Sequence, residues 1–352
     1  MICQSLKLKK FSLILWISSL VVPVSWNWHS SLWAQTPIRM KMGTLAPRGS
    51  SFHQILLAMG EKWRQAPGGA VSLTVYTDGV MGGEADMVRK MRIGQIQSGM
   101  LTVVGLAEID DSVTALQNMP MVFRTLEEVD YVREKLRPIL EKRFLEKGFV
   151  VLFWGDAGWV RFFSKQPMIH PADLKRMKIF VWSGDNHQVD IMKAAGYQPV
   201  PLETADIPTS LQTGLISVVP SVPFYALASQ IYSSASHMLE LNWAPLVGAT
   251  VVTRKGWESI PSGSREYLLD SAGEAGLQIK ARYRMDMEQS VESMKKRGLT
   301  VHSVDSLVEA EWRKTVVDLY PKIRGGIVPS DMFDQVQNLL EEYRKSNLGS
   351  RK

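Results

Sequence analysis

The sequence predicts an α/β protein of two lobes, each a mostly parallel sheet flanked by helices, with a cleft between them. Two observations support this fold class. Strand and helix patterns alternate with short connections from residue 38 to residue 105, which is typical of a parallel sheet with crossover helices. The alternation resumes at residue 149, after a long amphipathic helix. A chain of 352 residues is long enough for two such units and a set of helices that follows them.

The first unit reads as strand, helix, strand, helix and strand. A loop, PRGSS, precedes the first helix, and its Ser50 or Ser51 is a suitable N-cap residue. Alternating apolar residues mark the second strand. The segments are, in order, IRMKMGTLA, FHQILLAMGEKWRQA, VSLTVYTDG, GVMGGEADMVRKMRIGQ and IQSGMLTVVG. The fourth is a turn followed by a helix, and the last is a strand that runs into a loop.

The second unit follows the loop and helix LQNMPMVFRTLEEVDYVREKLRPILEKRFLEKG. Two separate strands are predicted first, and Asp173 lies near the start of a helical turn before the next strand. These strands are GFVVLFWGDAG, VRFFSK and MKIFVW. Helix, glycine turn and strand then recur in NHQVDIMKAAGYQPVPL and ADIPTSLQTGLISVVPSVP, and strands with a turn are predicted in ASHMLELNWAPLVGATVVTRKGWESI. From Ser262 onward the chain is mostly helical and heavily charged.

The N-terminus has the three parts of a cleavable signal peptide, predicted over residues 1–34. Basic MICQSLKLKK precedes apolar FSLILWISSLVVPV, and the small residue Ala34 follows. The apolar run is short for a transmembrane helix, which makes an uncleaved anchor the weaker alternative. The only cysteine, Cys3, lies in this segment, so the mature chain has no disulfide and no cysteine nucleophile. We therefore expect an exported, soluble, periplasmic protein.

Catalytic and metal-binding patterns are missing from the sequence. It contains no GxSxG elbow, no GxxxxGK[ST] phosphate loop, no GxGxxG after the first strand and no HExxH helix. Five histidines beyond the signal region are scattered without ligand spacing, which argues against a metal site. No basic run or basic-aromatic stripe indicates nucleic-acid binding. We expect no enzyme activity, cofactor, metal or nucleic-acid partner, and the simplest interpretation is a solute-binding protein.

A set of motifs in a fixed order carries a resemblance to a known family. The motifs are MGTLAPRGSSFHQ, YTDGVMGGEADMVRKMRIGQIQSG, LQNMPMVFRTLEEVD, GWVRFFSKQPMIHPADLKRMKIFV and PVPLETADIPTSLQTGLI. Together they span most of residues 38 to 255. The chain resembles the solute-binding proteins of tripartite ATP-independent periplasmic (TRAP) transporters, of the C4-dicarboxylate-binding type. The helical C-terminal region is only generically similar.

The resemblance implies two lobes that are joined by crossing strands and a long helix and that close around a ligand. It also implies delivery of the ligand to integral-membrane transporter subunits driven by an ion gradient. On this basis lobe I is expected to contain residues 35–156 and about 247–290, and lobe II residues 157–246 and about 291–345. A polar tail, 346–352, follows.

Transferring the family's binding residues reveals a substitution. The family typically has an arginine after its DLKGLK segment that holds the ligand carboxylate in a bidentate pair, and Phe180 stands at that position. Ser183 and Ser221 stand where asparagines are frequent, and where some members have a Glu and an Arg after the third strand, this chain has Thr102 and Gly105. The family's other cleft arginine persists as Arg161.

The remaining candidate ligand contacts make the predicted cleft largely apolar. They are Trp159, Trp182, Phe224 and Tyr225, with Ser51 at the first helix. Because burying an unpaired carboxylate is costly, we expect a less polar ligand, or an amphipathic acid held at its head by Arg161. Several of these residues have a structural alternative. Phe180, Trp159, Trp182 and Tyr225 could pack in the core, Phe224 and Tyr225 could cover a hinge, Ser51 could cap a helix, and Arg161 could form an ion pair with Asp156 or Asp185.

Two other functions compete with solute binding. One is a scaffold or sensory subunit in which the cleft has degenerated, as the missing arginine allows. The other is an exported hydrolase or lyase with an unrecognised site, which the absence of a nucleophile-base pattern disfavours. Binding of an organic ligand would separate the leading hypothesis from the first, and turnover would identify the second.

Overall fold

A mixed sheet of nine strands organises the part of the chain that the computed structural model describes, residues 38–67 and 71–349. The predicted signal peptide, Cys3 and the last three residues lie outside the described residues. The strands are β1 (Ile38–Thr44), β2 (Val71–Tyr76), β3 (Ser98–Thr102), β4 (Phe149–Ser164), β5 (Lys178–Trp182), β6 (Gln198–Leu202), β7 (Val218–Ser221), β8 (His237–Thr253) and β9 (Thr300–His302).

Fourteen helices of the described chain flank this sheet. They are α1 (Ser51–Arg64), α2 (Glu84–Arg92), α3 (Val103–Ala107), α4 (Leu126–Glu146), α5 (Pro171–Lys175), α6 (Asn186–Ala194), α7 (Ile207–Thr213), α8 (Pro223–Ala228), α9 (Ile231–Ser234), α10 (Arg254–Glu258), α11 (Ser262–Lys295), α12 (Ser306–Val317), α13 (Tyr320–Ile323) and α14 (Ser330–Gly349). Short 3-10 turns lie at Asp111–Leu116 and Thr204–Asp206. Within residues 38–67 and 71–349, no helix is both long enough and apolar enough to cross a membrane.

The strand order is β2-β1-β3-β8-β4-β7-β5-β6, with β9 paired to β8. At one end β1 is parallel to β2 and β3, and at the other β5 is parallel to β6 and β7. The long strands β4 and β8 run antiparallel between these two groups. The predicted α/β class with two mostly parallel strand groups and crossing strands is confirmed. The expected bounds of the two lobes stay a prediction.

The structure corrects the prediction at the central strands. The sequence predicts two strands in each of the segments that form β4 and β8, but each is one continuous strand. The segment GDAG, which resembles a turn, is a bulge in β4. The register of the pairing between β4 and β8 shifts there, between the pairs Asp156↔Val247 and Trp159↔Pro245. Gly158 at φ +71° allows this irregularity without ending the ladder. A bulge and a turn use the same residue types, so the sequence pattern could not separate them.

The structure also corrects two short secondary-structure elements and decides which serine caps α1. The segment after β3, predicted as a loop, is helix α3, which Thr102 caps by accepting a hydrogen bond from the Val104 N–H at 3.2 Å. Strand β9 lies in the region predicted to be mostly helical. For α1, Ser50 is the N-cap and accepts a hydrogen bond from the His53 N–H, whereas Ser51 is the first helical residue.

Helix α11 is the long helix that the family resemblance implies. It packs against β4, α1 and α8, and therefore touches elements from both ends of the sheet. Its buried face includes Ala272, Ala275, Ile279 and Tyr283. Small side chains on this face let the helix approach the sheet closely.

A buried ion pair joins α4 to the C-terminal helix α14. The Glu128 carboxylate is buried and accepts hydrogen bonds from Arg344 Nε at 2.7 Å and Nη2 at 2.9 Å. It also accepts one from the Arg124 N–H at 2.6 Å. Burial raises the pKa of Glu128, but Arg344 and the Arg124 N–H outweigh it, so the pKa lies below its ordinary value.

Glu128→Gln should therefore reduce stability in a pH-dependent way. Because the folded pKa is lowered, the carboxylate's contribution is present above the unfolded pKa of about 4.3 and is lost as pH falls through the folded pKa. We expect the free energy of unfolding to fall by about 2 kcal/mol at pH 7. The difference from the unmodified protein should become smaller below a pH of about 4. Urea denaturation at several pH values measures it. Glu341→Gln, which breaks an exposed pair with Lys345, is the control and should change little at any pH.

Candidate functional site

A cavity of about 150 Å³ lies where the carboxyl ends of the parallel strands meet. Thr44 ends β1, Thr102 ends β3, Trp182 ends β5 and Ser221 ends β7, and all four line the cavity. In open α/β sheets, ligands bind outside the carboxyl ends of the strands. The cavity therefore occupies the position where a ligand site is expected.

The cavity walls are mainly apolar. Both ends of the sheet contribute, together with α1, α8 and α11. The larger apolar side chains are Leu45, Phe52, Met100, Phe153, Phe180, Trp182, Ile207, Val219, Phe224 and Ile279. Among the described lining residues there is no lysine and no arginine. A surface of this kind favours the burial of an apolar ligand and offers no cation to an anionic one.

Phe180 is both core and cavity wall. Its side chain is 1% exposed and belongs to the core cluster with Phe163, Leu211 and Val219. Its ring packs against that of Trp182, with centroids 5.2 Å apart at 68°. The two interpretations that the sequence left open are therefore compatible, because this part of the core forms the wall.

Helix α8 supplies a second aromatic wall. Its Phe224 ring lies 5.3 Å from that of Phe52 on α1, and the Phe52 ring in turn meets Tyr283 edge-on at 6.4 Å. Tyr225 lines the cavity beside Phe224, and burial raises the pKa of its hydroxyl. Pro223 starts α8, where its missing N–H costs no hydrogen bond.

Glu84 is the polar lining residue that the sequence interpretation missed. It is the first residue of α2 and is buried. Its Oε1 accepts from the Thr102 N–H at 2.8 Å, and its Oε2 accepts from Thr102 Oγ1 at 2.6 Å and from the Gly105 N–H at 2.9 Å. Burial raises the pKa of Glu84 more than these donors lower it. The signal was an acidic residue directly after Gly82-Gly83, which reads equally well as a helix start.

A second lining carboxylate, Asp156, has a cationic neighbour. Arg133 on α4 is buried and places Nη1 3.4 Å from Asp156 Oδ2. The same guanidinium holds Asp130 at 2.9 Å. The charge of Asp156 is therefore balanced from behind the cavity wall.

Arg161 lies on β4 opposite Ser221 but is not among the cavity-lining residues. Its side chain is 12% exposed, and Nη1 lies 3.6 Å from Glu240 Oε1. The sequence predicted Asp156 or Asp185 as its alternative partner, and Glu240 was not foreseen. Burial lowers the pKa of Arg161, while Glu240 opposes this shift. Its Nε has no hydrogen-bond acceptor within the described residues.

Comparison with known families decides the assignment. The model of the family described as bacterial extracellular solute-binding protein, family 7 (DctP), matches residues 42–325. The chain belongs to this family. Among curated relatives, the 2,3-diketo-L-gulonate-binding periplasmic protein of Escherichia coli is 25% identical over 284 residues, covering 77% of this chain and 82% of the relative. An uncharacterized protein of Haemophilus influenzae is 24% identical over 300 residues, covering 81% and 89%.

Solved TRAP periplasmic solute-binding proteins share the fold. The one from Pseudomonas putida, with bound D-glucuronate, has a TM-score of 0.77 at 22% identity and covers 85% of this chain and 96% of its own. The one from Shewanella oneidensis, with bound succinate, has a TM-score of 0.80 at 17% identity and covers 87% and 100%. Together with the family match, this confirms the resemblance to TRAP solute-binding proteins, and the family match confirms the transport role. A family of transport binding proteins does not favour the scaffold, hydrolase or lyase alternatives.

Within this TRAP-type binding protein, six of the ten predicted site residues meet at the cavity. They are Thr102, Phe180, Trp182, Ser221, Phe224 and Tyr225. Four lie elsewhere, Arg161 among them. Ser51 Oγ donates to Asp286 Oδ2 at 3.1 Å, Trp159 is buried in a core cluster, and Ser183 is exposed with its N–H bonded to the Leu202 carbonyl. Their ligand roles stay predictions.

Proposed function

We propose that this protein captures a mainly apolar organic solute in the cavity and delivers it to integral-membrane TRAP transporter subunits. The observation that carries the proposal is the lining: apolar walls, with Phe180 where the family typically has an arginine and no cationic side chain among the described lining residues. An anionic ligand would enter this cavity without a charge partner, which costs several kcal/mol.

A less polar ligand fits this arrangement better than an amphipathic acid held by Arg161. The acid would need Arg161 to reach the cavity, whereas its guanidinium lies outside the lining and is paired with Glu240. The structural neighbours from Pseudomonas putida and Shewanella oneidensis hold carboxylates, D-glucuronate and succinate. We infer that the present chain keeps the transport role of the family with a changed ligand class.

Location and delivery follow from the family. The periplasmic site of action of TRAP binding proteins is consistent with the signal peptide predicted at residues 1–34. We infer that the loaded protein docks on membrane subunits that use an ion gradient. Closure of the strand groups around the cavity would give those subunits a surface that distinguishes loaded from empty protein.

Identification of the natural ligand tests this function. The protein is purified natively from the periplasm and denatured, and the released compounds are identified by mass spectrometry; succinate is titrated calorimetrically into the stripped protein. We expect a mainly apolar compound and no succinate binding below about 1 mM, since no cation offsets carboxylate desolvation.

Leu45→Trp is the control, because it places an indole in the cavity from a half-buried loop position. It should lose the compound and stay folded. A tightly held C4-dicarboxylate in the unmodified protein would contradict the proposed ligand class.

A further inference from the structure

Glu84 is a buried carboxylate on the cavity wall with no cationic partner among the described residues. Its three hydrogen-bond donors, two backbone N–H groups and the Thr102 hydroxyl, are neutral. The other buried carboxylates behave differently: Asp156 faces Arg133, and Glu128 holds Arg344. Buried carboxyl groups are normally paired with a cation, so Glu84 is the exception that needs an explanation.

The backbone holds Glu84 in this place by a close approach. A Cβ atom at Gly105 would lie 2.7 Å from the Glu84 Cβ, so α3 can approach α2 only because residue 105 is a glycine. The Gly105 N–H then reaches Oε2 at 2.9 Å. Two of the three donors are backbone N–H groups, which cannot reverse and accept. Both oxygens of Glu84 therefore act as acceptors in this network, and Glu84 lines the cavity.

Further negative charge lies at the same edge. Glu203, which follows β6, places its carboxylate against Gly83 directly before Glu84, so that a Cβ there would lie 2.3 Å from Glu203 Oε2. Thr204, the next residue, lines the cavity. A carboxylate from the second strand group, that of the exposed residue Glu203, thus lies beside the residue that precedes Glu84. An anionic ligand would be repelled there, and a hydrogen-bond donor would be attracted.

We propose that the ligand is an apolar body carrying one hydrogen-bond donor, a hydroxyl or an ammonium group, that binds the Glu84 carboxylate, and that carboxylates are excluded. This inference rests on the proposed function and names its ligand class. Oε1 accepts a single bond in the structure and has capacity for another. A cavity of about 150 Å³ suits a body the size of one benzene ring.

Four probes that share one ring test the inference. Toluene, benzyl alcohol, benzylamine and benzoate are titrated into the stripped exported protein, with binding followed by calorimetry and by ligand-detected NMR. We expect benzyl alcohol or benzylamine to bind about tenfold more tightly than toluene, as one added hydrogen bond to a buried carboxyl group allows. Benzoate should bind at least about tenfold more weakly than either donor-bearing probe.

Glu84→Gln identifies the group responsible. It should weaken benzylamine binding by about tenfold, leave toluene binding unchanged and reduce the discrimination against benzoate, part of which remains because the lining still offers no cation. Glu127→Gln, the same charge change at an exposed residue of α4, should leave all four affinities unchanged. If Glu84→Gln does not fold, the relative affinities of the four probes for the unmodified protein still test whether a hydrogen-bond donor is preferred and a carboxylate excluded.

The outcomes separate this inference from the proposed function. Toluene binding as tightly as the donor-bearing probes would overturn the role of Glu84 and leave an apolar ligand intact, whereas benzoate binding as tightly as they do would contradict both the role of Glu84 and the proposed ligand class. Failure of every ring probe together with submillimolar succinate binding would overturn the proposed function itself.

Discussion

Phe180→Arg should give the protein measurable affinity for carboxylates that the unmodified protein lacks. The substitution places a guanidinium on a wall formed by Phe180 and Trp182, where a carboxylate could form two parallel hydrogen bonds. We expect succinate or benzoate to bind at least about tenfold more tightly than to the unmodified protein. The variant should no longer bind the apolar ligand, because that ligand would displace water from the guanidinium without offering it a hydrogen-bond acceptor. Calorimetric titration of both ligand classes measures the exchange.

The cost in stability has to be separated from the change in specificity. Phe180 is 1% exposed, so burying an arginine there should reduce the free energy of unfolding by about 3 kcal/mol or more. Phe180→Leu is the matched control: it loses about 1 kcal/mol of packing, keeps the apolar wall and should not bind carboxylates. A folded Phe180→Arg protein without carboxylate affinity would show that position 180 does not face the ligand.

Gly158→Ala should strongly destabilise the fold. At φ +71° an L side chain costs about 1–2 kcal/mol, and its Cβ would lie 2.1 Å from Tyr283 Cε1. Tyr283 is fully buried on α11 and cannot move away without disturbing the helix. We expect a total loss of about 3–5 kcal/mol in the free energy of unfolding, measured by urea denaturation.

Gly184→Ala isolates the backbone contribution. Gly184 also has a positive φ, +97°, but no atom lies within 4 Å of its added Cβ. For this variant the free energy of unfolding should fall by only about 1–2 kcal/mol, the cost of placing a side chain at a positive φ. Equal losses for the two variants would mean that the contact between β4 and Tyr283 does not limit the packing of α11.

Local patterns were sufficient for the fold class but not for the central strands. Alternation predicted β2, the apolar run MKIFVW predicted β5 and a glycine turn preceded the predicted β7, all correctly, because these signals depend on neighbouring residues. The continuity of β4 and β8 depends on pairing between strands about 90 residues apart in sequence, as for Asp156 and Val247. No local pattern distinguishes a bulge stabilised by such pairing from a turn.

The residues of the candidate site were also predictable only in part. Phe180 and Ser221 could be placed from the family motif because each lies in a short strand whose position the motif gives. Glu84 could not, since its importance comes from burial against Thr102 and Gly105 rather than from its own surroundings in sequence. The ion pair of Arg161 was also unpredictable, because Glu240 reaches it from a strand 79 positions later in the chain.

The long pairing of β4 with β8 has a consequence for how the protein unfolds. Each of the two strands also pairs with one of the parallel groups, β8 with β3 and β4 with β7. Loss of either group would remove hydrogen-bond partners from a ladder on which the other depends. The two halves should therefore melt in one cooperative transition, and a ligand in the cavity should shift that whole transition rather than stabilise one half.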